Sequence, residues 1–314
     1  MPNSTLIRPA ARRRAAPISR PKSDPPRLPL SILGLTAVAI SLVWSYALTI
    51  QDLIRNWEHD PNYSVGMLVP FAAGYMAWTR RADLPNLGKV CWGGLAVLVV
   101  GQAIRAYGLF YLYESAERYS LVVTVIGLVL LLAGRETTTK LRWVLVFLFL
   151  MVPLPGRIHN MISGPLQGLA TEGAVFFLEL VAIHVIREGH VLILNDSVPL
   201  AVAEACSGLR MLTAFIVVGY VMAYLLDRSA WQKSVLVLST IPVAILCNLV
   251  RLVITALLFA VVSGDVAEKF FHDFAGWTMM PMAIAVLLGE AWILRRLVIA
   301  DTKPIESSDQ ISAP

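Results

Sequence analysis

The chain has 314 residues, of which 57% are hydrophobic and only 15% are charged, and its mean hydropathy is +0.69. A soluble domain carries about 25% charged residues, so this composition excludes one large soluble core and indicates a polytopic membrane protein. The net charge of +5 reflects where basic residues lie relative to the bilayer and does not indicate nucleic-acid binding.

Apolar segments divide the chain into a tail, a membrane domain and a second tail. Residues 1–27 are rich in Pro, Arg and Ser and predict a disordered basic tail. Residues 28–300 predict an all-α membrane domain of about eight transmembrane helices, followed by a polar tail over residues 301–314. The first predicted span, 28–50, is too long for a signal-peptide core. The other predicted spans lie near residues 65–79, 90–110, 119–133, 142–155, 207–226, 234–262 and 275–294.

The basic residues predict how these helices are oriented. If the amino terminus is cytoplasmic, the segments inside the cell hold 18 of the 26 Lys and Arg residues. This asymmetry is the one that the positive-inside rule requires. Both termini are then cytoplasmic, and the loops before the spans at 207–226 and 275–294 are extracytoplasmic.

Two segments on the outer side have distinct patterns. Residues 157–186 are apolar but are interrupted by His159, Pro165 and several other polar residues, which leaves open a re-entrant or interfacial hairpin or a helix packed inside the bundle. The segments "HVLIL" and "VPLAV" flank "NDS", which favours a turn. They predict a small extracytoplasmic β-hairpin that ends at Cys206.

The segment "VAEACSGLRM" places Cys206 where a membrane helix begins. A helix amino terminus carries about half a positive charge, and Arg210 lies one turn further along, so both favour the reactive thiolate. The alternative is a small apolar filler, the commoner role of a buried cysteine. The flanking Glu204 and Arg210 argue against it for Cys206, whereas Cys91 and Cys247 are predicted to be such fillers.

Two further polar groups belong to the same predicted face. Asn248 and Arg251 are three residues apart in the outer half of an apolar span, where a cation costs about 2.5–3.5 kcal/mol on insertion. His272 lies in the outer loop before the last span, and histidine is the side chain whose proton moves near neutral pH. The alternatives are a structural arginine and a solvated surface histidine, and the other four histidines compete with His272 on sequence alone.

Together these groups predict acyl transfer at a peptide bond. A thiolate attacks a carbonyl, a histidine protonates the leaving amine, and a guanidinium stabilises the oxyanion. The spacing of Cys and His does not match a zinc site, and the sequence predicts neither a metal nor another cofactor.

The segments "AEACSGLR", "NLVRL" and "FHDFAG" resemble the exosortase/archaeosortase family of membrane cysteine enzymes. The resemblance runs from about Trp57 to Gly276 and includes "MVPLPGRI", "PLQGLAT" and "IREGHVLIL". One segment departs from the family pattern: Val65 stands where the family commonly has the histidine of Tyr-Ser-His-Gly. This departure bears on the subfamily and on the sorting motif.

The resemblance implies a catalytic triad of Cys206, Arg251 and His272. The spacing and surroundings described above predict Arg210, Asn248 and Glu204 as supporting residues. It implies a bacterial inner-membrane enzyme whose protein substrates end in a Pro-Glu-Pro-like motif, one membrane helix and an Arg-rich end. Cleavage would pass through a thioester, and the acceptor would be an exopolysaccharide, a lipid or another surface group. The alternatives are a transporter or a non-catalytic membrane scaffold.

Overall fold

The computed structural model describes residues 28–85, 90–189, 191–194, 198–201, 208–226, 229–261 and 279–298. The chain divides into two compact units, Met1–Ala47 and Leu48–Pro314. Helix α1 belongs to the first unit. The helices are α1 (Leu28–Ser45), α2 (Ala47–His59), α3 (Leu68–Thr79), α4 (Gly93–Tyr111), α5 (Glu114–Phe147), α6 (Gly156–Leu180), α7 (Leu209–Leu225), α8 (Ala230–Val261) and α9 (Met279–Val298).

These helices confirm a predominantly helical protein with membrane-spanning segments. Within the described residues, three segments are long and apolar enough to cross a bilayer: Gly93–Tyr111, Glu114–Met151 and Ala230–Phe259. A fourth candidate arises if α1 and α2 form one broken span. Helix α7 and the middle of α9 are apolar but shorter. The predicted number of eight spans is therefore not confirmed.

Glycines at seven-residue intervals hold α4 against the first half of α5. A Cβ atom on Gly94 would overlap the backbone of Leu131, and one on Gly101 would lie 2.8 Å from Oγ1 of Thr124. A Cβ atom on Gly108 would likewise lie 2.7 Å from the side chain of Glu117. Because the contacted residues of α5 come earlier in the sequence as the glycines of α4 come later, the two helices run antiparallel. Because these positions carry no side chain, the two backbones approach each other closely.

Helix α5 covers the span that the sequence predicts near 119–133 and the first part of the span predicted near 142–155. Its backbone breaks at Gly134, where φ is 82° and ψ is 174°. After a 3₁₀ turn at Leu148–Met151, Val152 is extended with ψ of 125°. The helical backbone thus ends earlier than predicted, because Pro153 disfavours helical backbone at the residue before it.

The ambiguous segment 157–186 contains one long helix, α6, and not a helical hairpin. Gly173 of α6 packs against the side chain of Leu249 in α8, and Ala170 and Ala174 share an apolar cluster with Leu252. Helix α6 therefore lies along α8, and Pro165 is accommodated within it.

A small antiparallel sheet follows α6. Its strands are β1 (Val185–Glu188), β2 (Val191–Leu194) and β3 (Val198–Ala201), in the order β1-β2-β3. The β2–β3 pairing, with Leu192 opposite Leu200, confirms the predicted hairpin. The sequence interpretation missed β1, because "VIRE" is too short and too polar to show an alternating pattern. Buried Leu192 and Leu194 attach the sheet to α8.

The packing of α4 on α5 predicts an asymmetry between two glycines. Gly94→Ala should destabilise the protein by about 1–3 kcal/mol, because the new methyl group meets the backbone of Leu131. Gly74→Ala in α3 is the matched control, since a Cβ atom there has nothing within 4 Å. Thermal unfolding in one detergent measures both. Equal melting temperatures for the two variants would contradict this packing.

Candidate active site

The site is centred on the start of α7, two residues after Cys206. Gly208 caps this helix in the left-handed region, with φ of 79°. A Cβ atom on Gly208 would lie 3.0 Å from Nδ2 of Asn248 in α8. Position 208 therefore requires glycine for two reasons: its left-handed backbone angle, and the close approach of α7 to α8.

Asn248 connects this helix start to Arg251. The guanidinium Nη2 of Arg251 donates a hydrogen bond of 3.0 Å to Oδ1 of Asn248. The two residues are only 2% and 8% exposed, although they lie in an apolar helix. A buried cation is costly unless hydrogen bonds compensate it, and the amide of Asn248 provides one of them.

The structure separates the two arginines that the sequence analysis considered together. Arg210 lies in the first turn of α7 and is exposed, whereas Arg251 is buried in α8 and hydrogen-bonded to Asn248. Of the predicted site residues, the structure thus brings together Asn248 and Arg251, beside Gly208. Cys206, Glu204 and His272 lie outside the described residues.

The other two cysteines have different surroundings. Cys247 is buried in an apolar cluster formed by α7, α8 and α9, with Met211, Phe215 and Leu287. Cys91 is partly exposed before α4. Neither shares a cluster of three or more His, Cys, Asp or Glu residues that could hold a metal, within the part of the chain that the structure describes.

Sequence analysis missed a polar loop, residues 60–63, that touches the first turns of α7. The hydroxyl of Thr213 donates a hydrogen bond of 3.1 Å to the backbone oxygen of Asn62. The Tyr63 hydroxyl lies 2.7 Å from Nδ1 of His159, the first-turn histidine of α6. Burial raises the pKa of Tyr63 to about 12, so its hydroxyl remains protonated in this contact. In the sequence, the only sign of this contact is that the polar His159 interrupts an apolar segment.

The residue that departs from the family pattern lies next to this loop. Val65 is 6% exposed in a short 3₁₀ turn, Ser64–Met67. The indole of Trp57 packs against this turn and leaves no space for a Cβ atom on Gly66. The same indole donates a hydrogen bond of 3.0 Å to the backbone oxygen of Met151. An apolar side chain at position 65 therefore suits its buried environment.

The contact between Gly208 and Asn248 generates a prediction. Gly208→Ala adds both a left-handed strain of about 1–2 kcal/mol and a methyl group at Asn248. Gly189→Ala is the matched control, because its φ of 63° gives the same strain with nothing within 4 Å. We expect Gly208→Ala to lower the melting temperature more and to change the rate at which maleimide alkylates Cys206. Equal melting temperatures and an unchanged alkylation rate would contradict the close approach.

Comparison with known proteins gives one match. The family model described as transmembrane exosortase matches residues 57–289, which is most of the chain. No curated protein and no solved structure matches the chain. The matched range begins at Trp57 below the polar loop and contains Gly208, Asn248 and Arg251. The chain therefore belongs to the transmembrane exosortase family.

Proposed function

We propose that this protein is a membrane-embedded cysteine protease or transpeptidase that cleaves a carboxy-terminal sorting signal from exported proteins. The signal would consist of a Pro-Glu-Pro-like motif, one transmembrane helix and an Arg-rich end. Membership of the exosortase family supports a membrane sorting enzyme in general. The substrate motif and the chemistry are our proposal.

One observation carries the proposed chemistry. Asn248 touches the backbone of Gly208 and binds the guanidinium of Arg251. Gly208 is two residues from Cys206 in sequence, and consecutive Cα atoms are about 3.8 Å apart, so chain connectivity alone keeps the Cα atom of Cys206 within about 8 Å of that of Gly208. A buried cation beside the segment that carries the thiol is the arrangement that acyl transfer needs.

The proposed reaction has two halves. The thiolate of Cys206 attacks the carbonyl carbon of the scissile peptide bond and forms a tetrahedral oxyanion, which the guanidinium of Arg251 stabilises. His272 donates a proton to the departing amine, and the C–N bond breaks to leave a thioester. An acceptor nucleophile, or water, then attacks the thioester, and the thiol leaves.

We assign different roles to the two arginines because their surroundings differ. Arg251 comes from a second helix and is held buried by Asn248, which suits a fixed oxyanion donor. Arg210 is exposed in the first turn of α7 and suits substrate positioning and lowering the pKa of the Cys206 thiol. Glu204, which flanks Cys206, is a further supporting residue in the proposal.

The proposed setting is the bacterial inner membrane, crossed by about eight helices, with both termini in the cytoplasm. The site would open on the extracytoplasmic face, where the exported substrates and a polysaccharide or lipid acceptor are present. Basic residues at the opposite end of the α7–α8 pair from Gly208 support this orientation, because cytoplasmic ends are rich in Lys and Arg. These residues are Arg80, Lys140 and Lys233.

The orientation is tested with topology reporters. Fusions at Arg135 and Lys233 should report a cytoplasmic location, because the basic residues concentrate in those loops. Fusions at Ser263 should report an extracytoplasmic location. An extracytoplasmic signal at Lys233 would place Cys206 on the wrong side of the membrane for exported substrates.

The nucleophile is tested by removing each thiol separately. Cys206→Ala should abolish cleavage of a sorting-signal substrate, while the protein still inserts into the membrane. Cys91→Ala and Cys247→Ala are the matched controls and should retain activity, although Cys247 is buried and its loss leaves a small cavity. Full activity of Cys206→Ala would exclude the thioester and would favour a scaffold or a transporter.

The arginines are distinguished by turnover and by alkylation of Cys206 against pH. Arg251→Lys should reduce kcat by about 10²–10³, because an ammonium lacks the planar guanidinium fork. Arg210→Lys should have a milder effect and should raise the pH at which Cys206 reacts. His272→Ala should stop turnover but leave some alkylation.

Two results would revise these assignments. If Arg251→Lys is close to wild type and Arg210→Lys is inactive, the roles of the two arginines are exchanged. If neither variant affects turnover, backbone N–H groups at the start of α7 hold the oxyanion instead.

A further inference from the structure

A large cavity lies at the opposite end of the α7–α8 pair from Gly208. It has a volume of about 760 Å³ and is bounded by the ends of α3 and α7, the second half of α5 and the start of α8. Sites for small molecules typically measure about 300–1,000 Å³. We call it the Lys233 cavity, after the lysine of α8 that lines it. It does not include any residue of the proposed active site.

The wall of the Lys233 cavity is apolar. Trp143, Val237 and Leu238 line it together with the ring of Tyr220. The hydroxyl of Tyr220 is already committed, since it donates a hydrogen bond of 2.8 Å to the backbone oxygen of Trp143. Leu238 is 64% exposed, so the wall continues onto the outer surface of α8, where a membrane protein meets lipid. Such a surface suits a hydrocarbon chain.

The polar part of the cavity is cationic. Arg80, Lys140 and Lys233 line it, against the single lining carboxylate of Asp83. Arg80 approaches that carboxylate at 3.5 Å, and Lys140 forms an ion pair of 3.0 Å with Glu136. Lys233 is partly buried, and no carboxylate among the described residues pairs with it. The lining therefore keeps a net positive charge.

We propose that the Lys233 cavity binds an anionic phospholipid. The headgroup phosphate lies among Arg80, Lys140 and Lys233, and an acyl chain follows the wall formed by Trp143 and Leu238. Basic pockets between membrane helices on the cytoplasmic side favour anionic headgroups. A zwitterionic headgroup gains less, because its own cation faces the same lysines and arginine. An Arg-rich peptide is repelled.

Native mass spectrometry of the whole protein in neutral detergent tests this proposal. The probes are dioleoyl-phosphatidylglycerol and dioleoyl-phosphatidylcholine, with inorganic phosphate and an Arg-rich peptide as competitors. Lys233→Gln and Arg80→Gln each remove one cation from the cavity. Arg81→Gln is the matched control, because Arg81 adjoins Arg80 in sequence but stacks on Trp78, with its guanidinium carbon 4.1 Å from the ring centroid.

We expect the first bound phosphatidylglycerol to bind at least fivefold more tightly than phosphatidylcholine. Lys233→Gln and Arg80→Gln should each weaken phosphatidylglycerol binding roughly fivefold and leave phosphatidylcholine binding unchanged. Arg81→Gln should have no effect on either lipid. Unchanged phosphatidylcholine binding also shows that the variants remain folded.

Several outcomes overturn the proposal. Equal affinity of the wild-type protein for the two lipids would exclude an anionic headgroup site, and this comparison needs no variant. An equal effect of Arg81→Gln would indicate diffuse surface charge. Complete competition by inorganic phosphate would indicate a free-anion site, and displacement by the peptide would indicate a peptide site.

Discussion

A buried charge is the constraint around which the start of α7 and the neighbouring part of α8 are organised. Arg251 lies in the middle of an apolar helix and is only 8% exposed, so its guanidinium depends on protein partners. Asn248 is one of them, and the same amide packs against the backbone of Gly208. The start of α7 is therefore positioned by the group that satisfies the buried arginine. A substitution at Asn248 would therefore change both the surroundings of the buried Arg251 charge and the packing of the start of α7.

Small residues allow the polar contacts to form. Gly208 admits Asn248, and Gly173 admits Leu249, so α7 and α6 both approach α8 closely within one turn of the buried arginine. Gly66 similarly leaves room for the Trp57 indole below the polar loop. Where helix faces are uniformly apolar, as in a membrane, such close approaches determine which surfaces pair, because burial of apolar area does not distinguish one helix from another.

Sequence patterns predicted the pairing of Asn248 with Arg251 better than they predicted the number of spans. Arg251 and Asn248 stood out because a cation and an amide are rare within an apolar run, and a spacing of three implies one helix face. The β2–β3 hairpin followed from turn chemistry at "NDS". In contrast, the contact between Tyr63 and His159 joins residues 96 positions apart and leaves no periodic pattern in the sequence. The break at Gly134 was also not predictable, since glycine is tolerated within membrane helices.

The two ends of the α7–α8 pair present opposite solutions to the placement of charge in a membrane. At the Gly208 end, one arginine is enclosed and hydrogen-bonded by a neighbouring amide, which fixes its position and keeps its charge concentrated. At the other end, Arg80, Lys140 and Lys233 border an open cavity, where the compensating charge can come from outside the protein. A fixed, enclosed cation suits stabilisation of a transient oxyanion, because no reorganisation is needed when the charge forms. Cations around an open cavity suit a permanent anion that diffuses in and stays. The same residue types therefore suit the proposed catalysis at one end and the proposed lipid binding at the other, according to how they are enclosed.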